Sequence, residues 1–208
     1  MRIGVMGMRK MTKAAEGGDA EISVRDRILA TASALFYRDG MHAVGVDAIV
    51  AQSGVAKTSL YRWFPSKDAL IAAFATEHDR AYWRWWDGVC ARHADPRAKL
   101  HALLTAIGKR TAGETFRGCP QLNLTSEFPD RAHPGRKVAC AHKAELRLRL
   151  RALLAAIGVA APERLAEQIA LLIDGAYVSA QVLPPANRAG DLIDAADALI
   201  AARLARPR

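Results

Sequence analysis

The chain of 208 residues is 51% hydrophobic and 25% charged, which is typical of a globular protein and excludes a disordered or fibrous one. It contains no apolar run near the roughly 20 residues that a membrane span needs, and it begins without the apolar stretch of a signal peptide. We therefore expect a protein that is neither exported nor embedded in a membrane. The formal net charge of +9 favours an anionic partner, either nucleic acid or an acidic membrane surface.

Residues 1–20 mix basic residues with glycine and alanine without helical or strand periodicity, and we interpret them as a disordered basic arm. An arm that enters the DNA minor groove is the less favoured alternative. A helix is predicted next, because Ser23 is placed to cap it and the apolar residues from Ile28 to Phe36 recur on one face. Gly40 is predicted to end this helix, as glycine commonly does.

From there to the C-terminus, apolar residues recur at spacings of three and four, without the alternation typical of strands, so the predicted fold class is all-α. Proline and glycine divide this stretch into helices. The predicted breaks lie at Asp95 with Pro96, at a loop over residues 129–134, at Gly158 with Pro162 and at Pro184 with Pro185, before a last helix over about residues 188–205.

Residues 46–60 have the pattern of a helix-turn-helix. Val46 and Ile49 begin a short apolar stripe, Gly54 supplies a turn, and Leu60 lies in a second short helix among polar and aromatic residues. In this motif the second helix lies in the DNA major groove. Many helix pairs in ordinary bundles share the pattern, so it is only moderately specific.

The longer string SGVAKTSLYRWFPSKDAL, residues 53–70, preceded by VDAI at 46–49, resembles the DNA-binding domain of the TetR family of bacterial repressors. The resemblance covers about residues 24–75. It implies a three-helix helix-turn-helix DNA-binding domain over residues 21–67 and a larger helical ligand-binding and dimerisation domain over residues 68–208. It also implies a sequence-specific transcriptional regulator, not an enzyme, that acts as a repressor and leaves its operator when a small apolar or aromatic ligand binds.

The second helix of the motif carries cationic and hydroxyl donors suited to phosphates and base edges. Leu60 and Phe64 are predicted to face inward onto Ile49 and Phe36. Trp63, where the family often has histidine, either stacks on the DNA or packs on the protein. The residues predicted to bind DNA are Lys57, Thr58, Ser59, Tyr61, Arg62, Trp63 and Lys67.

Large aromatic side chains are concentrated at the end of the following helix. A second string, over residues 116–134, resembles a segment of some TetR-family sensor domains and differs from that segment at Gln121. Ligand pockets commonly combine an apolar lining with a few placed polar groups. The predicted partners are double-stranded operator DNA, an unidentified small-molecule effector and a second copy of the chain, with no membrane. The residues predicted to bind the effector are Trp86, Phe116, Asn123, Ser126, His142 and Tyr177.

A homodimer is predicted through the last two helices, over about residues 162–183 and 188–205, because an apolar stripe there exceeds what one small domain needs. A basic row of Lys143, Arg147 and Arg151 is predicted to lie in solvent. The residues predicted to form the dimer interface are Leu165, Ile169, Leu172, Ile173 and Ala176.

The three cysteines are widely spaced and odd in number, which predicts no disulfide framework and fits a reducing cytoplasm. We expect no cofactor and no metal. A metal site of His133, Cys140 and His142 is a weak alternative, because helix residues two apart point in different directions. An enzyme that pairs Cys119 with His133 or His142 is weaker still, because no orienting group stands nearby.

Overall fold

The computed structural model describes residues 22–183 and 187–204, so the predicted basic arm lies outside the described residues. Within those ranges the chain forms nine α-helices and no strand, which confirms the all-α prediction. The helices are α1 (Val24–Asp39), α2 (Val46–Ser53), α3 (Lys57–Trp63), α4 (Lys67–Cys90), α5 (Pro96–Thr111), α6 (Pro120–Glu127), α7 (Pro134–Ala156), α8 (Glu163–Val182) and α9 (Arg188–Leu204).

Local sequence signals account for most of the helix ends. Ser23 Oγ accepts from the Asp26 amide at the start of α1, and Asp95 does the same for Ala98 at the start of α5, where Pro96 is the first helical residue. Both contacts satisfy amides that have no partner inside the helix. Gly40 ends α1 with a φ of 92°, a backbone angle that residues with a side chain rarely adopt.

The side chains pack into two hydrophobic clusters. The first joins α1, α2 and α3 to the first two turns of α4, and it also takes in Leu124 of α6 and Ala139 of α7. The second fills the C-terminal helices and begins on α4 near Tyr82. The packing boundary therefore lies within α4, between Ala75 and Tyr82, beyond the boundary at residue 67 that the sequence motif suggested. A single continuous helix belongs to both clusters and joins them.

In the C-terminal part, α4 packs along α7, α7 along α8, and α5 along α9. The contact between α5 and α9 is close, because a Cβ added to Gly108 would lie 2.4 Å from the Cα of Ala189. No helix in the described part of the chain is long and apolar enough to cross a bilayer.

Candidate nucleic-acid interface and sensor core

The helix-turn-helix is built as its sequence predicts. Gly54 adopts the left-handed conformation with a φ of 66°, and this turn directs α3 away from α2. Leu60 is fully buried and Phe64 is 3% exposed, and both belong to one cluster with Ile49 and Phe36. This confirms the predicted inward face of α3 and leaves its opposite face to solvent.

The outward face of α3 collects donors. Six of the predicted DNA-binding residues lie on α3, and Tyr61 and Trp63 among them are 43% and 50% exposed. Trp63 therefore does not belong to the core. Lys57 Nζ forms an exposed ion pair with Asp47 Oδ1 at 2.7 Å, and this contact raises the pKa of Lys57. The six residues are Lys57, Thr58, Ser59, Tyr61, Arg62 and Trp63, and all except the half-buried Ser59 are exposed.

Lys67 differs from these residues because it is only half-exposed and is already bonded within the protein. Its Nζ donates to the backbone oxygen of His42 at 3.2 Å. Ser66 caps α4 by accepting from the Ala69 amide, as its position predicts. The structure thus gives Lys67 a role in holding the loop between α1 and α2.

That loop is also clasped by the end of α6. Glu127 Oε2 accepts from the His42 amide at 2.7 Å, and the His42 Nε2 donates to the Glu127 backbone oxygen at 2.8 Å. The ring of Phe128 stacks on the rings of both His42 and His133, each at 4.3 Å between centroids. We call these four residues the α6 clasp. Sequence reasoning missed it, because the partners are about 85 residues apart and no periodicity marks such a pair.

A second set of hydrogen bonds ties the start of α6 to the DNA-binding part. The Tyr37 hydroxyl donates to the Gly118 oxygen at 3.2 Å and accepts from the Arg117 amide at 3.1 Å. Gln121 Nε2 donates to the Ala75 oxygen on α4 at 3.0 Å. The start of α6 is therefore attached to α1 and α4, and its end is attached to the loop between α1 and α2.

We call the second hydrophobic cluster, in the C-terminal helices, the sensor core, and it contains part of the predicted ligand site. Trp86 and His142 are 3% and 4% exposed and share a cage of rings with Tyr82 and Trp83. Asp79 accepts hydrogen bonds from His142 Nδ1 at 2.8 Å and from Trp83 Nε1 at 2.7 Å, which orients both rings. Burial lowers the pKa of His142 despite this carboxylate.

Phe116 and Tyr177 form a second aromatic contact, stacked with their ring centroids 5.8 Å apart. Burial raises the pKa of Tyr177, and it also raises that of Tyr82, whose enclosed hydroxyl has no hydrogen-bond partner among the described residues. The other two predicted residues lie apart from these rings. Asn123 donates to the Arg117 oxygen at 2.6 Å, and Ser126 is exposed on α6.

Burial of His78 on α4 should make the stability of the protein depend on pH. The His78 ring stacks on Tyr37 and meets Phe74 edge-on, and burial, reinforced by the Arg110 guanidinium against an opposing effect of Glu77, lowers its pKa to about 4. Because the folded state disfavours the charged ring, the stability from this group is complete above pH 6.5 and is lost as the pH falls towards 4. We expect His78→Phe to remove roughly 2 kcal/mol of the acid-induced loss of unfolding free energy.

Urea unfolding of wild type and His78→Phe at pH 7, 5.5 and 4.5 measures this difference. His142 titrates in both proteins, so its contribution cancels in the comparison. Parallel stability profiles for the two proteins would show that His78 contributes nothing to acid sensitivity.

Three of the five residues predicted to form the dimer interface lie in the core of their own chain. Leu165 and Ile169 are fully buried and Ile173 is 1% exposed, all within the core of their own chain, and Leu172 and Ala176 are half-buried against it. The apolar periodicity of α8 therefore marks the face that folds inward. Its outer face exposes a different apolar set, Leu171, Val178 and Val182, at 60%, 50% and 77%.

The basic row of α7 also differs from the prediction, because two of its cations bond to α8. Lys143 Nζ lies 2.5 Å from Asp174 Oδ1, and Arg147 forms two hydrogen bonds with the Glu167 carboxylate. Only Arg151 is exposed as predicted. Among the described residues, no cluster of three or more histidine, cysteine, aspartate or glutamate side chains is arranged to hold a metal ion.

Comparison with known proteins agrees with this architecture. The family described as "Bacterial regulatory proteins, tetR family" matches residues 28–74. An uncharacterized HTH-type transcriptional regulator of Bacillus subtilis, YxaF, is 52% identical over 120 residues, which cover 55% of this chain and 61% of that protein. The chain thus spans about three fifths of the length of the curated relatives it matches.

Two solved structures are similar over nearly their whole length. A TetR-family transcriptional regulator from Streptomyces coelicolor has a TM-score of 0.82 and 28% identity, covering 86% of this chain and 95% of that one. A putative TetR transcriptional regulator from Streptomyces avermitilis has a TM-score of 0.76 and 33% identity, covering 87% and 98%. With its helix-turn-helix and helical C-terminal domain, the chain belongs to the TetR family of DNA-binding transcriptional regulators.

Proposed function

We propose that this regulator is a homodimeric repressor that leaves its operator when a small, mainly apolar ligand binds the sensor core. The observation that carries the proposal is α4, one unbroken helix of 24 residues whose first turns pack in the DNA-binding cluster and whose last turns carry Trp86 into the sensor core. At 1.5 Å per residue it is about 36 Å long. Movement at one end therefore displaces the other. Action on operator DNA implies the cytoplasm as its compartment.

Helix α6 supports the same coupling by a second route. Cys119 at its start lies in the sensor cluster, Leu124 in its middle lies in the DNA-binding cluster, and Glu127 at its end holds His42. A ligand that displaces α6 changes the α6 clasp and hence the loop before α2. The coupling is reciprocal, so operator DNA should weaken ligand binding by the same factor.

The ligand site that we propose lies among Tyr82, Trp86, His142, Phe116 and Tyr177. The enclosed Tyr82 hydroxyl has no hydrogen-bond partner in the described part of the chain, and an acceptor atom on a ligand would satisfy it. We leave Ser126 out, because it lies on the surface, and Asn123, because its amide nitrogen is bonded to the Arg117 oxygen.

For the dimer we propose the outer faces of α7 and α8. Leu171, Val178 and Val182 form an exposed apolar stripe at spacings of seven and four along α8. Leu148 of α7 is 48% exposed and lines a groove together with Ala166 of α8, which extends the apolar surface onto α7. Exposed apolar residues at helical spacing favour packing against another helix. A two-fold axis there presents two copies of α3 to paired operator half-sites.

Arg62→Ala tests DNA recognition through α3. Arg62 is exposed on the donor face, and the loss of one phosphate contact should weaken DNA binding and reduce the slope of log affinity against log salt by about one. If Arg62 reads a guanine instead, the loss is about 1 to 3 kcal/mol and is confined to operator sequence. Fluorescence anisotropy with labelled DNA from the upstream region of the gene, at several salt concentrations, separates the two outcomes.

Lys109→Ala is the control, because Lys109 is also an exposed cation but lies on α5 in the C-terminal domain. It should leave both affinity and salt slope at the wild-type values. Wild-type affinity in Arg62→Ala would exclude Arg62 from the interface. Equal losses in both variants would show a general effect of charge and would contradict recognition by α3.

A further inference from the structure

His133 is the N-cap of α7, and its ring is bonded there as an acceptor. The residue is 7% exposed, and its Nδ1 accepts a hydrogen bond from the Gly135 amide at 3.2 Å. This bond satisfies one of the amides that have no partner at the start of a helix. An amide donates only to a ring nitrogen that carries a lone pair, so the ring proton lies on Nε2. His133 is therefore a neutral imidazole in this arrangement.

The other ring nitrogen of His133 has no comparable partner. Nε2 is enclosed and makes no hydrogen bond with any residue that the structure describes. Oδ1 of Asp68, the second residue of α4, lies 3.5 Å from Nε2, beyond the usual length of an N–H···O hydrogen bond. The Asp68 side chain is 57% exposed, so it has room to move. The ring thus caps α7 through one nitrogen and approaches a carboxylate of α4 with the other.

A second proton would reverse the bonding of this ring. It would occupy Nδ1 of His133, where it faces the Gly135 amide as one donor facing another, so the cap would be lost. The positive charge would also oppose the dipole at the N-terminus of α7. On the other side of the ring, the same charge would attract Asp68 and strengthen the contact with Nε2. Protonation therefore moves the bonding of His133 from α7 to α4.

The two histidines that stack on Phe128 differ in their response to a proton. His42 already donates through Nε2 to the Glu127 backbone oxygen, so a second proton on its Nδ1 leaves that bond intact. His133 uses Nδ1 as an acceptor and loses its bond when this nitrogen is protonated. The response to pH thus depends on His133, although both rings contact the same phenyl group.

Asp68 is the acidic partner available to the charged ring. The carboxylates of Glu127 and Asp130 already accept hydrogen bonds from backbone amides. Two cations nearby, Lys67 and Arg136, donate to backbone oxygens. The charged and titratable groups on the elements around the ring are Lys67 and Asp68 of α4, His42 of the loop before α2, Glu127 of α6, Asp130 and Arg131 of the turn before α7, and Arg136 and Lys137 of α7.

We propose that His133 is a proton switch that weakens the binding of operator DNA as the pH falls. The neutral ring caps α7 and stacks on Phe128, which keeps the α6 clasp closed on the loop before α2. The charged ring turns towards Asp68 and disturbs that stack, so the helix-turn-helix loses part of its support. Histidine suits this role, because imidazoles change charge between pH 5 and 8. Transmission to the DNA rests on the coupling through α6 proposed above, whereas the change at His133 does not.

His133→Asn tests the switch, because asparagine caps helices well and does not titrate. At pH 7.5 this variant should bind operator DNA as the wild type does. Between pH 7.5 and 5.5 the affinity of the wild type should fall about fivefold relative to the variant, the lower end of typical coupling between sites. Fluorescence anisotropy at constant ionic strength measures both. His93→Asn, which removes a histidine between α4 and α5, is the matched control and should follow the wild type.

The Gly135 amide reports the change at His133 without DNA. Its signal in the ¹H–¹⁵N spectrum of the full chain should move as the bond to Nδ1 is lost, with the same midpoint as the His133 ring signals. Asp68→Asn removes the partner of the charged ring and leaves the cap in place. The midpoint should then lie at a pH lower by roughly 0.5, the effect of one partly exposed ion pair. Because Asp68 is exposed, this variant should fold as the wild type does.

Three results would overturn the proposal: a Gly135 signal that does not move between pH 7.5 and 5.5, a midpoint that Asp68→Asn leaves unchanged, or equal pH dependence of DNA affinity in the wild type and His133→Asn. A pH dependence that is lost equally in His93→Asn would assign the effect to overall charge, which also overturns it. Failure of the wild type to bind operator DNA at any pH would contradict the proposed function, and the Gly135 titration would still decide the change at His133.

Discussion

Val178→Asp should convert the dimer into monomers that no longer hold operator DNA tightly. Val178 is 50% exposed at the centre of the outer stripe of α8, so the substitution leaves the fold of one chain intact. In the dimer it buries an unpaired charge, which costs about 3 to 5 kcal/mol. That is on the order of a 10²- to 10⁴-fold increase in the dimer dissociation constant. Sedimentation velocity at micromolar concentration measures the dimer, and anisotropy with operator DNA measures the consequence.

Ala198→Asp is the matched control on α9, the other helix that apolar periodicity assigned to the interface. Ala198 is also exposed, and we expect this variant to remain dimeric. Monomers from Ala198→Asp and dimers from Val178→Asp would move the interface to α9. Circular dichroism of both variants confirms that any monomer is folded. A wild type that sediments as a monomer would remove the dimer from the proposed function.

Gly108→Ala should destabilise the protein, although a helical glycine replaced by alanine ordinarily stabilises. Gly108 lies within α5, where an added Cβ would meet the backbone of α9, 2.4 Å from the Cα and 2.5 Å from the amide nitrogen of Ala189. Backbone atoms cannot move aside as a flexible side chain does. The two helices must separate, and overpacking of this kind costs about 1 to 3 kcal/mol.

Gly88→Ala should have the opposite effect on the same protein and increase its stability. Gly88 lies in α4, and outside its own stretch of helix no atom of the described residues lies within 4 Å of the position of its Cβ, so the usual gain in helix propensity of roughly 0.5 to 1 kcal/mol should appear. Unfolding in guanidinium chloride compares both variants with wild type. Stabilisation by both substitutions would show that α5 and α9 do not approach as closely as the structure indicates.

Local signals in the sequence determined the fold class and the recognition helix. Ser23, Asp95 and Gly54 act on amides or backbone angles within a few residues of themselves, so their effects were predictable without tertiary information. The inward face of α3 was predictable for a similar reason, because a short helix with a few apolar residues has one way to bury Leu60 and Phe64. Such inferences depend on periodicity and on short-range hydrogen bonds alone.

Tertiary structure decided which apolar face of α8 folds inward. Periodicity identified Leu165, Ile169 and Ile173 as one stripe, but a buried stripe and an interface stripe have the same spacing. Only the position of the neighbouring helices shows that these residues fill their own core and that Val178 faces outward.

Contacts between distant segments were likewise undetermined by the sequence. The bond from His42 to Glu127, the neutralisation of Lys143 by Asp174 and the approach of Asp68 to His133 each depend on helices that meet only in the folded chain. Lys67 shows the same effect, because the fold brings the His42 oxygen within 3.2 Å of its Nζ, a partner that the sequence did not indicate. Residue type sets what a side chain is able to bind, and the packing of distant helices decides which partner it meets.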